Sequence, residues 1–382
     1  MPLVYLDNNA TTMPDPAVVA AMMPFLTELY GNPSSVHRFG QRARVAVDEA
    51  RIQIARLVGC SDSELIFTGG GTESINTAVR GLAASRSPRR KIVTTTVEHS
   101  ATRELCEQMR REGWTIIELP VDREGRLDLD RLRAAMTDDV ALATIMWANN
   151  ETGVIFPIAE IAGICKTAKV PLHVDATQAV GKIAVDFKAV GLDAASFASH
   201  KFHGPKGVGG LFLRRGLRIA PHIIGGPQER NRRGGTENVA GIVGMGFAAE
   251  RGRGCLDQMS RVGEMRDRFE TAILHSIPET SINGDVSVRL PNTTNINFAA
   301  LEAEAILLLL SEQNICASAG AACSSGSLEP SHVLRAMNIP DRIAHGAIRF
   351  SLSRFTTESE IDAALVVLPA IIARLRAVLP VG

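Results

Sequence analysis

Short apolar, β-branched runs alternate with amphipathic segments through the first two-thirds of this chain. Leu65-Ile66-Phe67-Thr68 reads as a buried strand, and Gly69-Gly70-Gly71 separates it from a helix beginning near Thr72. Lys91 to Val97 is a second strand, followed by a helix from about Ser100 to Arg111. Val140 to Met146 and Val170 to Val174 are further strands, with a helix from about Ile158 to Ala168 between them. Apolar runs of this kind belong to strands covered on both faces. Strand–helix alternation therefore predicts an α/β domain with a mostly parallel sheet. A helix over about Gln41 to Val58 puts Val45, Ile52, Ala55 and Val58 at helical spacing as its core face, with Gly59 as its stop.

The last third changes character. Thr294 to Phe298 and Ile348 to Leu352 are strands separated by helices, as in a smaller α+β unit. The terminal helix places Leu365, Leu368, Ile372, Leu375 and Leu379 on one face, with Pro369 as an expected kink.

Charge and composition narrow the function. The 41 Lys+Arg balance 41 Asp+Glu, and aromatic residues make up 4%, which argues against a nucleic-acid or anionic-membrane partner. The longest apolar stretch near the C-terminus, Ala363 to Ala373, is broken by Pro369 and falls short of the roughly 20 residues that span a bilayer. Met1 to Asp7 has neither the basic nor the long apolar region of a secretory signal. Six cysteines without a C-x-x-C pair do not make a disulfide or zinc framework. A soluble, cytoplasmic protein with no structural metal is expected.

Three features fall at carboxyl ends of strands, where ligand sites gather in open α/β sheets. Gly69-Gly70-Gly71-Thr72 combines close backbone approach with the free N–H groups of a helix start, which suits a phosphate; a plain tight turn accounts for it as well. Asp175 closes an apolar strand, where a carboxylate needs a cationic partner or serves as a helix cap. Lys201, in Ser199-His200-Lys201, follows the apolar run Ala194 to Ala198. Desolvation there favours Schiff-base chemistry, although a lysine with a packed stem and a solvated head also fits. A lysine for an aldehyde, a carboxylate for a pyridinium nitrogen and a glycine turn for a phosphate together match pyridoxal 5′-phosphate. Among the cysteines, Cys323 stands out, because Ser318 to Ser327 is a small, polar stretch suited to an accessible thiol.

Several stretches, in order and over essentially the whole chain, resemble the cysteine desulfurases, and most closely their NifS type. They are Tyr5-Leu6-Asp7-Asn8-Asn9-Ala10-Thr11-Thr12, Gly31 to Ser35, Gly70 to Ser74, Glu98-His99, Asn149 to Gly153, Asp175 to Gln178, His200-Lys201 and the Cys323 loop running into His332. The resemblance implies an aspartate-aminotransferase-like fold working as a homodimer. A large cofactor domain over 16–258 and a small α+β domain from 1–15 and 259–382 are the expected division.

The resemblance also implies roles. Lys201 would carry pyridoxal phosphate covalently and move the Cα proton, Asp175 would keep the ring nitrogen protonated, and His99 would stack on the ring and serve in proton transfer. Gln178 and Asn150 would contact its phenolic side. Gly71, Thr72, His200 and a Ser199 contact would hold the phosphate, with Thr236 from the other subunit. Arg349, and less strongly Asn32, would grip the carboxylate of L-cysteine. Cys323 would take the sulfur as a persulfide and pass it to an iron–sulfur cluster scaffold, nitrogenase-dedicated or general. Two positions depart from the family pattern: Ala198 stands where a phosphate-binding serine is usual, and Ala321-Ala322-Cys323-Ser324-Ser325 replaces Ser-Ala-Cys-Thr-Ser. Selenocysteine lyase or aminotransferase chemistry on the same fold is the alternative.

Overall fold

A computed structural model describes residues 2–319 and 330–378, so the expected reactive Cys323 and the helix residue Leu379 lie outside the described residues. The first eight strands in chain order are β1 (Val4–Tyr5), β2 (Leu65–Thr68), β3 (Lys91–Thr95), β4 (Thr115–Leu119), β5 (Val140–Met146), β6 (Leu172–Asp175), β7 (Ala194–Ala198) and β8 (Gly209–Leu213). Then come β9 (Thr280–Ile282), β10 (Thr293–Phe298), β11 (Ile315–Cys316) and β12 (Ala347–Ser351). Seven of them form one sheet in the order β2-β8-β7-β6-β5-β3-β4. From β4 to β7 neighbours run parallel, whereas β8 is antiparallel to both β7 and β2. This is the mostly parallel α/β sheet that the alternating pattern predicts.

Neighbouring residues along these strands feed opposite cores, as the pleat requires. Ile66, Ile92, Leu142 and Leu211 pack with Ile75, Val79, Leu82 and Leu105 from helices Gly71–Ala84 and Ser100–Arg111. Phe67, Val93, Ala143 and Phe212 face the other way, toward Val47, Ile54, Ile161 and Met245. A separate core joins Val4 and Leu6 to Phe269, Ile296, Phe298, Ile306, Ile348, Phe350 and Leu368. It lies under the antiparallel sheet β12-β10-β9 and the parallel pair β1-β11.

The helix near residue 41 exists, over Arg38–Val58, and half of its expected positions face the core. Ala55 and Val58 are buried, whereas Val45 and Ile52 are 65% and 42% exposed, and Ala43, Val47, Ala50, Ile54 and Leu57 complete the buried side. The reason is a close crossing with helix Val239–Arg253. A Cβ on Gly246 would come within 2.5 Å of the Ala50 backbone, so small residues form the contact at the crossing and set which side of the helix turns inward. Gly59 does end the helix, at φ 67°. The terminal helix, Glu358–Val378, runs on through Pro369, with Ile361, Ala364, Leu368, Ile371 and Ile372 buried. No helix among the described residues is long and apolar enough to cross a membrane.

Candidate active site

Sheet register assembles the site from distant segments. Gly209 at the start of β8 pairs with Thr68 at the end of β2 and with Ala198 at the end of β7. The glycine turn and the Ser199–Lys201 turn therefore emerge side by side. A Cβ on Gly209 would sit 2.6 Å from the Gly70 backbone, so only glycine permits this approach. One strand over, Asp175 is in register with Met146 and Ser196.

These ends line one cavity of about 240 Å³. Gly71, Thr72, His99, Asn150, Asp175, Gln178, His200 and Lys201, all expected from the sequence, are in its wall, together with Ala10, Thr177 and Ala198. Lys201 Nζ donates to the carbonyls of Asn9 at 2.6 Å and Ala10 at 2.8 Å. Asp175 Oδ1 accepts the Thr177 N–H at 3.0 Å. No side chain caps helix Gly71–Ala84, and Glu73 in its first turn is drawn aside by Arg233 at 2.9 Å. An uncapped helix start facing a cavity is an anion site.

Both cavity histidines are held neutral. Burial, reinforced by Lys201, Lys206 and Lys182, pushes His200 down to about 4. Burial also lowers His99, with Lys201, Arg349 and Arg103 adding to it and Asp175 opposing. His99 Nδ1 accepts the Ala101 N–H at 3.1 Å, which puts the neutral ring's proton on Nε2. His173, deeper in the sheet, bonds Thr144 and Ser196 at 2.8 Å each and is a satisfied core histidine.

Four expected residues stand apart from this wall. Ser199 is buried, its hydroxyl without a partner among the described residues and turned toward Gly204. Thr236 lines a separate recess with Gly69, Gly207 and Arg233 of the same chain. Asn32 is exposed and accepts the Ser34 N–H. Arg349 is buried, with one nitrogen 2.8 Å from Asp7, another donating to the Asn150 carbonyl, and Nε without a partner among the described residues. Sequence reasoning assigned no role to Asn9, Thr177 or Lys182. Asn9 and Thr177 lie in the family-like stretches and Lys182 follows Gln178 by four residues, but only the fold shows what they touch.

The family profile described as Aminotransferase class-V matches residues 4–364. The chain belongs to the class-V aminotransferases. Cysteine desulfurase 2 of Trichormus variabilis is 52% identical over 380 residues, covering 100% of this chain and 96% of the relative. The NifS cysteine desulfurase of Azotobacter vinelandii is 51% identical over 379 residues, covering 99% and 94%. A solved NifS-like protein superposes with a TM-score of 0.92 at 38% identity, covering 98% of this chain and 100% of the other. The structure of SspA in complex with cysteine gives 0.83 at 31%, covering 92% and 99%.

Membership of the class-V aminotransferases implies pyridoxal phosphate, and the cavity wall suits it. Thr177 Oγ1 is buried there with no partner among the described residues, a donor and acceptor left over by the protein itself. It lies 3.4 Å from where a Gly71 Cβ would sit, with the Ala198 Cβ at 3.5 Å. A hydroxyl is thus present beside the helix start although position 198 offers none. Lysine, carboxylate, uncapped helix and hydroxyl fit an aldehyde-bearing, phosphorylated pyridine.

One buried acid behind the site sets a pH dependence. Glu98 is 1% exposed, and burial, with a smaller contribution from Asp175, pushes its carboxyl up to about 8. Thr95 and the Met146 N–H both bond Oε1, while Oε2 has no partner among the described residues. The folded protein keeps a proton that the unfolded chain releases near 4.5. This contribution to stability is therefore complete below about pH 4.5 and is lost as pH rises through about 8. Glu98→Gln is expected to gain stability over the natural protein by on the order of 2–4 kcal/mol at alkaline pH, and little in acid. Thermal unfolding across that range checks it; parallel curves for the two proteins would refute the assignment.

Proposed function

We propose that this chain is a pyridoxal 5′-phosphate-dependent cysteine desulfurase that converts L-cysteine to L-alanine and passes the sulfur on as a persulfide on Cys323. The observation that carries this reading is the convergence of Lys201, Asp175, His99, Gln178 and the Gly71–Thr72 helix start on one cavity. Relatives named cysteine desulfurases, 51–52% identical over nearly the full length, support it. When bound, the cofactor supplies an electron sink that lets the substrate Cα lose its proton.

The chain's own residues do the rest. Lys201 holds the cofactor and then accepts the Cα proton. His99, with Nδ1 engaged by the Ala101 N–H, contributes an Nε2–H donor and a ring face, so proton acceptance falls to Lys201. Asp175 would keep the ring nitrogen protonated, and Asn150 and Gln178 would contact its phenolic side. Gly71, Thr72, neutral His200 and Thr177 would hold the phosphate, with Thr236 contributed by a second subunit. Arg349 would take the substrate carboxylate with its guanidinium fork, steadied by Asp7. The Cys323 thiolate attacks the substrate sulfur. A sulfur–sulfur bond forms, the carbon–sulfur bond breaks, and its electron pair returns to the substrate carbon, so no outside oxidant is needed. An iron–sulfur scaffold protein is the acceptor.

A homodimer is supported by exposed apolar side chains on the elements around helix Val239–Arg253. Met23, Leu26, Val45 and Val36 (95% exposed) are among them. A cytoplasmic setting agrees with the five free thiols among the described residues. Burial pushes Cys60, Cys106 and Cys165 up to about 12, which leaves them poor nucleophiles.

The deciding experiment measures alanine formed from L-cysteine, with a reductant present, for the natural protein and Cys323→Ala. Alanine formation is expected to fall at least about a hundredfold in the variant, as for removal of a catalytic nucleophile. Equal alanine from both would mean that sulfur leaves without a persulfide at Cys323. No alanine from either would favour aminotransferase chemistry.

A further inference from the structure

A second lysine lies against the wall of the same cavity. Lys182 is 5% exposed, and its Nζ donates to Asn9 Oδ1 at 2.8 Å and to Gln178 Oε1. No carboxylate pairs with it among the described residues. Its N–H groups are aimed at both amides, which turn their oxygens toward it. Gln178 is then obliged to point Nε2 the other way. One of its N–H groups reaches the Asn9 carbonyl at 3.0 Å, the same oxygen that receives Lys201, and the second is left for the cavity that Gln178 lines.

Asn9 is pinned as firmly. Its Oδ1 also accepts from Asn292 at 3.1 Å, and its Nδ2 donates to Thr293 at 2.9 Å and to the Asn150 carbonyl at 3.2 Å. Both ends of each amide are thereby assigned by the network: Lys182 holds the two side-chain oxygens from one side, and the Asn9 and Asn150 carbonyls take the nitrogens on the other. We propose that Lys182 is a positioning residue for the cofactor: by holding the Gln178 oxygen, it makes that amide present N–H, never a carbonyl, to the oxygen-bearing edge of the bound ring.

The proposal rests on the cavity being a pyridoxal phosphate site. Burial, reinforced by the like charges of Lys201 and Arg349, holds the proton affinity of Lys182 well down, and its ammonium form in turn opposes protonation of His200 and His203. Asp175 and His99 are the other titratable groups in the wall. An N–H aimed at an anionic ring oxygen weakens that oxygen's hold on the proton of the Lys201–cofactor linkage. Loss of the donor, or of any positive charge on Lys182, therefore moves the titration of the linkage to higher pH.

Apoprotein titrated with pyridoxal phosphate, followed by a pH titration of the visible absorption, tests this without turnover. Lys182→Met is expected to bind the cofactor about 3- to 10-fold more weakly, the loss of one hydrogen bond, and to shift the absorption midpoint upward by at least about 0.5 unit. Gln178→Met should reproduce both effects, and the double variant should be no worse than Gln178→Met alone. An unchanged midpoint in Lys182→Met, or additive effects in the double variant, would overturn the proposal. Should Lys182→Met not fold, Lys182→Gln carries the same test, because its amide no longer dictates which end of Gln178 faces it. If the natural protein itself gives no absorption change with pyridoxal phosphate, the cofactor reading falls, and this inference with it.

Discussion

Lys201→Ala protein should bind pyridoxal phosphate without the visible absorption of a covalent linkage and should lose at least about 10³-fold in alanine formation, combining loss of the covalent anchor and of the proton acceptor. The structure explains why no other amine takes its place. Lys201 leaves the end of β7 on a three-residue turn, and its Nζ is steered by two backbone carbonyls, Asn9 and Ala10, of the N-terminal segment. Lys182 is spoken for by two amide oxygens, and Lys206 belongs to the outer recess with Gly69 and Gly70. The fold should survive the change, since Gln178 continues to satisfy the Asn9 carbonyl. Absorption spectra and alanine assays on the same preparation check both halves. An unchanged absorption band would remove Lys201 from its assigned role.

The second large effect is on stability. Arg51 and Glu229 form a buried bidentate pair at 2.7 and 2.8 Å, with side chains 6% and 2% exposed. Glu229 also accepts the Phe67 N–H, Arg51 donates to the Leu65 carbonyl, and the guanidinium lies 4.4 Å over the Phe67 ring. The pair thus clamps β2, the strand that delivers the glycine turn, to the Arg-rich loop between Gly225 and Gly235. That loop needs the clamp, because Glu229, Arg230 and Asn231 are all left-handed, at φ 47°, 58° and 62°. Arg51→Met leaves a carboxylate buried without its partner and is expected to cost about 3–5 kcal/mol, with Arg51→Met/Glu229→Gln costing less than the sum of the two changes. Urea unfolding measures it; a loss under about 1 kcal/mol would mean the charge is solvated after all.

How far the chain could be read in advance depended on the range of the interaction. Leu65–Thr68 and Val140–Met146 were legible to the residue, because a strand buried on both faces writes itself as a local apolar run. The glycine turn, Asp175 and Lys201 were legible because each closes such a strand. The core face of Arg38–Val58 was legible only at Ala55 and Val58, since the distant partner helix Val239–Arg253 decides which side turns inward. Thr177, Asn9 and Lys182 escaped for the same reason. A threonine after a strand, an asparagine near the start and a lysine after a glycine are ordinary locally, and they acquire meaning only from the orphaned hydroxyl, the shared carbonyl and the locked amide. Arg349 illustrates the converse. The family resemblance implied a carboxylate grip, while its pairing with Asp7 and the Asn150 carbonyl shows only in three dimensions.

The N-terminal segment ties the start of the chain to its end. Asn8 Nδ2 donates to the Ser351 carbonyl and the Asn9 N–H to the Ser351 hydroxyl, contacts that span 343 and 342 positions. The same Asn9 receives Lys201, 192 positions on. During synthesis the helices and the parallel strands can form as they emerge, but the side of the cavity closed by Asn9 waits until β12 has left the ribosome. Contacts of such separation carry the largest chain-closure entropy and come late in folding. A chain that stops before β12 therefore lacks the Ser351 contacts that help hold the Asn8–Asn9 segment beneath Lys201.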